Sequence, residues 1–325
     1  MSRLDAHRGA AVLIVGEVHT GLLRHSVPVS QAVSARILAL RLGQEVRSSQ
    51  RPVPSVVSPD LFDGIDCRLS ATAGGRPRAV GTVATQASIT AGQILQAASV
   101  ATLIEGTAGR RMPWGHYLSR PGVIETVSPA NLHHVASAWR TSETALPNLA
   151  AIADRLHVDI QESPLLDQAV AIWTPRTRVR WILEYSESRP EVELSVESGE
   201  YRTIRMSGAA LSARAVNDFC AAVAMHDWLL TIVLDAIQRS RLELGVDSKC
   251  LARLRPTIDR FLHLWMPAAR MDKTLRPYWQ ALDGAAGLTE QWQIQVSRIR
   301  DQLALHTVGL LEEASDRAQQ TTDVA

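Results

Sequence analysis

The sequence predicts an α+β protein: a strand-rich N-terminal region with an antiparallel sheet over residues 1–206, then an α-helical bundle over residues 207–325. Three observations carry that expectation. Ala11–Leu23 and Ala79–Glu105 are rich in Val, Ile and Thr and are punctuated by glycine. Arg176–Tyr185 alternates charged and apolar residues with the two-residue period of a strand. Beyond about Ser207 the apolar period lengthens to that of a helix and stays there.

Taken in order, Ala11–Leu23 (AVLIVGEVHTGLL) suits a first strand, with Gly16 a point where it could break. Ser30 can cap a short helix ending near Leu42, with Gly43 just past it. Pro52 and Pro54 limit Val46–Val57 to an edge strand or an extended loop. A Gly74–Gly75–Arg76–Pro77 loop leads into Ala79–Glu105, where Gly81 and Ala91–Gly92 suggest tight turns between strands. Pro121–Val127 can add a strand. Ser128 and Pro129 suit the N-cap and first position of a helix to Arg140, and a second helix should cover Leu146–Leu156.

From Arg176 to Tyr185, Arg176, Arg178 and Arg180 point one way, and Val179, Trp181, Leu183 and Tyr185 the other. After a turn at Arg189–Pro190, Glu191, Glu193 and Glu197 alternate with Val192, Leu194 and Val196; Gly199 then turns the chain into Tyr201–Met206. This reads as an antiparallel meander. Opposite charges across strands contribute about 0.2–1 kcal/mol per pair, so the arginine ladder reads as bracing against the glutamates rather than as an anion-binding surface.

Helical spacing then dominates. Ser212–Leu244 carries a stripe of Phe219, Val223, His226, Leu230, Val233 and Ile237. Pro256 can begin a second helix through Trp265, stopped by Pro267. A third should include Leu275–Leu282 and end at Gly284. The last runs from an N-cap at Thr289 to about Arg317, with Trp292, Val296, Ile299, Leu303, His306 and Leu310 in line. Four helices with short connections fit a bundle or hairpin array.

Composition narrows the function classes. Hydrophobic residues at 46% and charged residues at 21% supply ample core-forming material, which argues against disorder. A net charge of +1 gives no overall basic excess, so a nucleic-acid partner is not expected. Cys67, Cys220 and Cys250 are widely spaced, which fits reduced, structural thiols and gives no metal-site spacing. No apolar run of about 18 residues stands out as a membrane span. A soluble, cytoplasmic protein is the resulting expectation, with neither cofactor nor metal.

No phosphate-cradling loop, nucleophile elbow, zinc-helix motif or dinucleotide fingerprint is present, which removes only enzymes with conspicuous signatures. The densest cluster of functional groups is Arg110, Arg111, Trp114, His116 and Tyr117, which could bind a base or a phosphorylated partner. The same residues would also suit a Pro/Gly turn anchored by its aromatics. His226, Trp228, Trp292 and His306 lie on apolar helical stripes as candidate interface residues, and two histidines alone make a thin metal site. Asp60, Asp63 and Asp66 miss the spacing of a calcium loop and read as a solvated turn.

GEVHTGLL (Gly16–Leu23), SPDLFDGIDCRL (Ser58–Leu69), GTVATQASITAGQILQ (Gly81–Gln96), MPWGHYLSRPGVIE (Met112–Glu125) and HDWLL (His226–Leu230) resemble an uncharacterised family from Streptomyces and related actinobacteria. Members of that family tend to be encoded beside a variant P-loop protein and a methyltransferase-like protein. The resemblance implies a place in a small multi-protein system and supplies no catalytic residues.

Two functions of different classes follow. The first is a non-enzymatic scaffold or adaptor whose helical region holds another protein, with a P-loop NTPase as the partner the resemblance implies. The alternative is an enzyme or small-ligand-binding protein with a pocket around Arg111–Tyr117. A homo-oligomer is compatible with either.

Overall fold

The computed structural model describes residues 12–41, 43–72, 76–106, 108–127, 130–141, 147–170, 172–186, 189–208, 211–240, 242, 248–267, 271 and 273–323. The fold is α+β, with a strand-rich N-terminal region and a helical C-terminal region. The chain forms two compact units, one from Met1–Met225 with Pro267–Ala286, the other from His226–Met266 with Gly287–Ala325.

The first unit is built on a mixed sheet. Its strands are β1 (Val12–Leu22), β2 (Arg47–Ser49), β3 (Ser55–Val57), β4 (Leu61–Arg68), β5 (Arg78–Thr90), β6 (Ile94–Ile104), β7 (Val123–Thr126), β8 (Thr177–Tyr185), β9 (Glu191–Val196) and β10 (Tyr201–Gly208). The order across the sheet is β2-β3-β5-β7-β6-β1-β8-β10-β9, with β4 paired to β5 and β5 also paired to β6. Its helices are α1 (Gln31–Leu38), α2 (Trp114–Leu118), α3 (Leu132–Thr141), α4 (Leu149–Gln161) and α7 (Arg276–Ala286), with the N-terminal half of α5 (Ala213–Ser240).

Local chemistry explains several boundaries. Ser30 caps α1 by accepting a hydrogen bond from the Val33 amide at 3.2 Å. Asn148 does the same for α4 from the Ala151 amide at 3.1 Å, so that helix begins three residues later than its apolar pattern suggests. The Ser128 cap and Pro129 lie outside the described residues, as do Gly74 and Gly75. Ala91 and Gly92 turn β5 into β6 with φ of 52° and 65°. At Gly92 a Cβ would fall 2.0 Å from the Val29 carbonyl oxygen, so the close approach requires glycine.

The structure corrects the sequence reading at identifiable places. The last three strands are not a simple meander: β10 lies between β8 and β9, parallel to β8 and antiparallel to β9. The glutamates of β9 therefore never face the arginines of β8. Asp63 and Asp66 do not belong to a turn, since Leu61–Arg68 is a strand beside β5, and Asp60 directly precedes it. Gly81 ends no strand. It lies within β5 where β7 crosses closely, and a Cβ there would sit 2.1 Å from the Val123 carbonyl oxygen.

One face of the sheet carries a core that joins Leu13 and Val15 of β1 to Leu132, Val135, Ala136 and Trp139 of α3 and Leu149 of α4. A second cluster joins Ile37 and Leu38 of α1 and Leu156 and Ile160 of α4 to Ala87 and Ile89 of β5 and Leu95 and Ala97 of β6. The α5 half helix also packs in this unit: the Gln96 side chain donates to the Ala221 carbonyl at 2.8 Å, and Cys220 lies 3.8 Å from Met206 sulfur to sulfur. Against the sequence reading that no stretch approaches a membrane span, α5 is long and apolar enough to cross a membrane by length and composition, and 78% of its most apolar window is buried.

The second unit consists of the remainder of α5, α6 (Ser248–Phe261) and α8 (Leu288–Asp323). Pro256 sits inside α6 rather than at its start. Gly284 likewise lies within α7, and α8 begins at Leu288, which puts Thr289 inside the helix rather than at its cap. The core here is aromatic. Trp265 stacks on Trp292 with ring centroids 4.5 Å apart, His226 meets Trp265 edge-on at 5.1 Å, and Trp228 meets Phe261 edge-on at 5.5 Å.

Candidate functional site

The Arg110–Tyr117 segment is held by its own contacts. Tyr117 is buried and its phenol oxygen accepts a hydrogen bond from the Met112 amide at 2.9 Å. Trp114 meets Tyr117 edge-on and lies over Gly64 of β4, while the Arg111 guanidinium sits 5.3 Å from the Trp114 ring. Arg111 also donates to Asp66 at 3.1 Å, and Asp66 takes both Nε and Nη2 of Arg78 at 2.8 Å. Those two guanidinium groups hold the Asp66 carboxyl below its usual range. His116 contacts Glu125 at 2.8 Å, and Arg120 pairs with the other oxygen of that carboxylate. Arg110 is exposed. The segment is thus a turn clamped onto β4 and β7, with its imidazole and one guanidinium engaged by carboxylates.

A denser constellation lies where sequence reasoning did not look. Along β1, the residues facing α3 and α4 change from Leu13 and Val15 to Glu17 and His19. Register places Glu17 opposite Arg180 and His19 opposite Arg178 on β8. Arg178 donates from Nε to Glu17 at 2.8 Å, and Arg180 Nε lies 3.6 Å from the other carboxylate oxygen. The Arg180 guanidinium is held between the rings of Trp139 and Tyr201, each 5.4 Å away. Burial pushes the Glu17 carboxyl up, and the two arginines pull against that.

Helix α4 adds Asp154 and His157 to this layer. Asp154 lies 3.6 Å from His19 Nδ1 and 2.7 Å from Arg176 Nη1. His19 and His157 are both buried, and among the described residues their ring nitrogens have no hydrogen-bond partner. Burial, with help from the Arg176 charge, lowers His19 to about 3 and His157 to about 4. Both rings are therefore neutral at ordinary pH. Glu17, His19, His157 and Arg180 are buried, while Asp154, Arg176 and Arg178 reach the surface, so the layer is an ionic cluster that braces β1 against β8 and α4. Its signal in the sequence was Glu17-x-His19 inside an otherwise apolar strand, because alternate residues share a face.

The candidate interface residues divide between core and surface. His226, Trp228 and Trp292 are buried in the aromatic core of the second unit, and His306 is half-buried. Among the described residues the most exposed large apolar side chains of that unit lie elsewhere on α8: Ile294, Leu305, Val308, Leu310 and Leu311 are 51–65% exposed. At about 100° per residue, Leu310 continues the stripe of Trp292, Ile299 and Leu303, whereas Ile294, Leu305 and Val308 lie on the opposite side and Leu311 on the flank between. Leu303–Leu311 is thus an apolar helical segment on two sides. A helix of that kind is normally covered all round, and isolated exposed leucines do not account for a patch on both sides. This half of α8 is the surface best suited to a function.

The first unit holds a cavity of about 290 Å³ beside the start of α5, lined by Arg214, Asp218, Phe219, Met271 and Leu275 among others. Among the described residues no group of three or more His, Cys, Asp or Glu side chains is arranged to hold a metal ion. No protein-family model, no curated protein and no solved structure matches this chain.

Proposed function

We propose that this protein is a non-enzymatic scaffold or adaptor that holds another protein on the C-terminal half of α8. The observation that carries the reading is the two-sided apolar segment Leu303–Leu311, with four of its large side chains at least half exposed. Burying one such side chain is worth about 1.5–3 kcal/mol, enough for a few to anchor a partner after the cost of association. The clamped state of Arg111, His116 and Tyr117 supports the same choice, since those groups are spent on the fold.

The partner proposed is a P-loop NTPase of the kind the family resemblance implies, and the setting proposed is the cytoplasm. The test is co-expression of the full chain with a P-loop protein of the kind encoded beside members of the family it resembles, weighed intact by native mass spectrometry. A complex of fixed stoichiometry that Leu310→Glu abolishes is the expected result. Two separate masses, from a chain whose circular dichroism shows it folded, would overturn the reading.

A further inference from the structure

The geometry points to an oxyanion site between β1, β8 and α4, where a phosphate dianion takes Arg176 and the His19 ring in place of the Asp154 carboxylate. The site lies wholly in the first unit and does not depend on the reading of α8.

His19 and His157 are 2% and 4% exposed, and none of their four ring nitrogens has a hydrogen-bond partner among the described residues. Buried polar groups are paired in the great majority of cases, because an unpaired one carries its full desolvation penalty. The carboxylate beside them is already engaged: Glu17 takes Arg178 and lies against Arg180. The two rings are thus the groups of this layer free to hold a ligand.

They lie just beneath the surface. Asp154 and Arg176, which flank them, are 42% and 44% exposed. Oδ1 of Asp154 stands 2.7 Å from Arg176 Nη1 and 3.6 Å from His19 Nδ1. The Arg176 stem and His157 Nε2 also converge, each 3.5 Å from where a Cβ on Gly21 would stand. A carboxylate oxygen therefore occupies the point where a guanidinium and an imidazole meet, yet it makes no aligned hydrogen bond there. With nearly half its side chain exposed, Asp154 can turn out to water by a change of rotamer.

Charge selects the ligand. Arg176 and Arg178 act on the His19 ring, and Arg176 and Arg24 on the His157 ring, with Asp154 the opposing charge. When Asp154 turns out, the field at the rings is positive, and a dianion answers it more fully than one carboxylate does. A neutral imidazole still donates one N–H to an oxyanion. The guanidinium fork of Arg176 matches the paired oxygens of a phosphate. The same arginines repel a metal cation.

The experiment titrates the full chain with inorganic phosphate, and separately with AMP, by calorimetry. The ring nitrogens are followed by NMR of nitrogen-15 histidine, assigned with His19→Gln and His157→Gln. Expected are saturable binding and movement of both rings' resonances. Arg176→Ala should weaken binding about tenfold or more, and Asp154→Ala, which removes the internal competitor, should tighten it. Arg155→Ala, a neighbouring charge paired with Asp63, should change it by no more than about twofold. AMP bound more tightly than phosphate assigns the site to a phosphate ester, and the reverse order assigns it to free phosphate. No heat and unmoved rings at millimolar phosphate would overturn the site. So would binding that Asp154→Ala weakens, or that Arg155→Ala weakens as much as Arg176→Ala. If Arg176→Ala fails to fold, the wild-type titration and Asp154→Ala decide between these outcomes.

Discussion

Arg178 donates from Nε to Oε1 of Glu17 at 2.8 Å, joining two neighbouring strands that are 161 residues apart in sequence. Arg180 approaches the other oxygen from the same side, so one buried carboxylate takes two guanidinium groups at the junction of β1 and β8.

Removing that carboxylate should take a counter-charge from the buried Arg180. Glu17→Ala is expected to cost about 3–5 kcal/mol, measured by urea unfolding. Glu17→Gln, which keeps the shape and an acceptor, should cost less. A loss under about 1 kcal/mol for the alanine variant would contradict the role of an ionic lock.

The two enclosed imidazoles make stability depend on acid. An ordinary histidine titrates near 6.5, and the unfolded chain takes up protons there that His19 and His157, lowered to about 3 and about 4, do not. Their contribution is complete above the unfolded value and is lost as pH falls toward the folded values. The unfolding free energy from urea titrations should therefore fall from pH 7 to pH 4.5, each ring contributing up to about 1.4 kcal/mol per pH unit. His19→Gln/His157→Gln should flatten that fall. Asp66 and Asp167, both held low by their partners, lose their contributions at more acid pH, whereas Glu17, Asp60 and Asp218, raised by burial, work against the fall, so the double histidine variant isolates the part the rings contribute.

Gly81 is required by a close crossing of strands. A methyl group there would press on the Val123 carbonyl and on Ile124 Cα, both backbone atoms that can move only with β7. Gly81→Ala should destabilise by about 1–3 kcal/mol or more, as overpacking does. Gly115→Ala, with open space around it, should cost far less. Equal midpoints for the two variants in thermal unfolding would contradict the crossing.

The two sides of α8 should respond differently to truncation. Ile299 is buried, and Ile299→Ala should cost about 2–5 kcal/mol of unfolding free energy. Leu305→Ala on the exposed side should change it by no more than about 0.5 kcal/mol. Comparable losses at both positions, in the chain alone and at concentrations too low for self-association, would show that the outer side is already covered.

The sequence made legible what depends on local pattern. The β-branched run of β1, the Ser30 cap, the Ala91–Gly92 turn and the helical stripe from Trp292 to Leu303 all follow from spacing and capping chemistry. What it concealed depends on strand order. Alternation in β8 and β9 shows that arginines and glutamates each share a face. It cannot show that β10 will enter between them, and β1 supplied the counter-charge instead. The β4 strand was masked by Asp60, Asp63 and Asp66, residues poor in intrinsic strand preference; Arg155 and Arg78 pair with the last two of them. Glu17 and His19 escaped notice because their partners come from β8 and α4, far along the chain.

The most direct test of the proposed function is the native mass of the full chain co-expressed with a P-loop NTPase of the kind the family resemblance implies, compared with a Leu310→Glu variant. The account predicts a complex of fixed stoichiometry for the wild type, and no hetero-complex for a variant that remains folded. An undiminished complex with the variant, or none with the wild type, would contradict it.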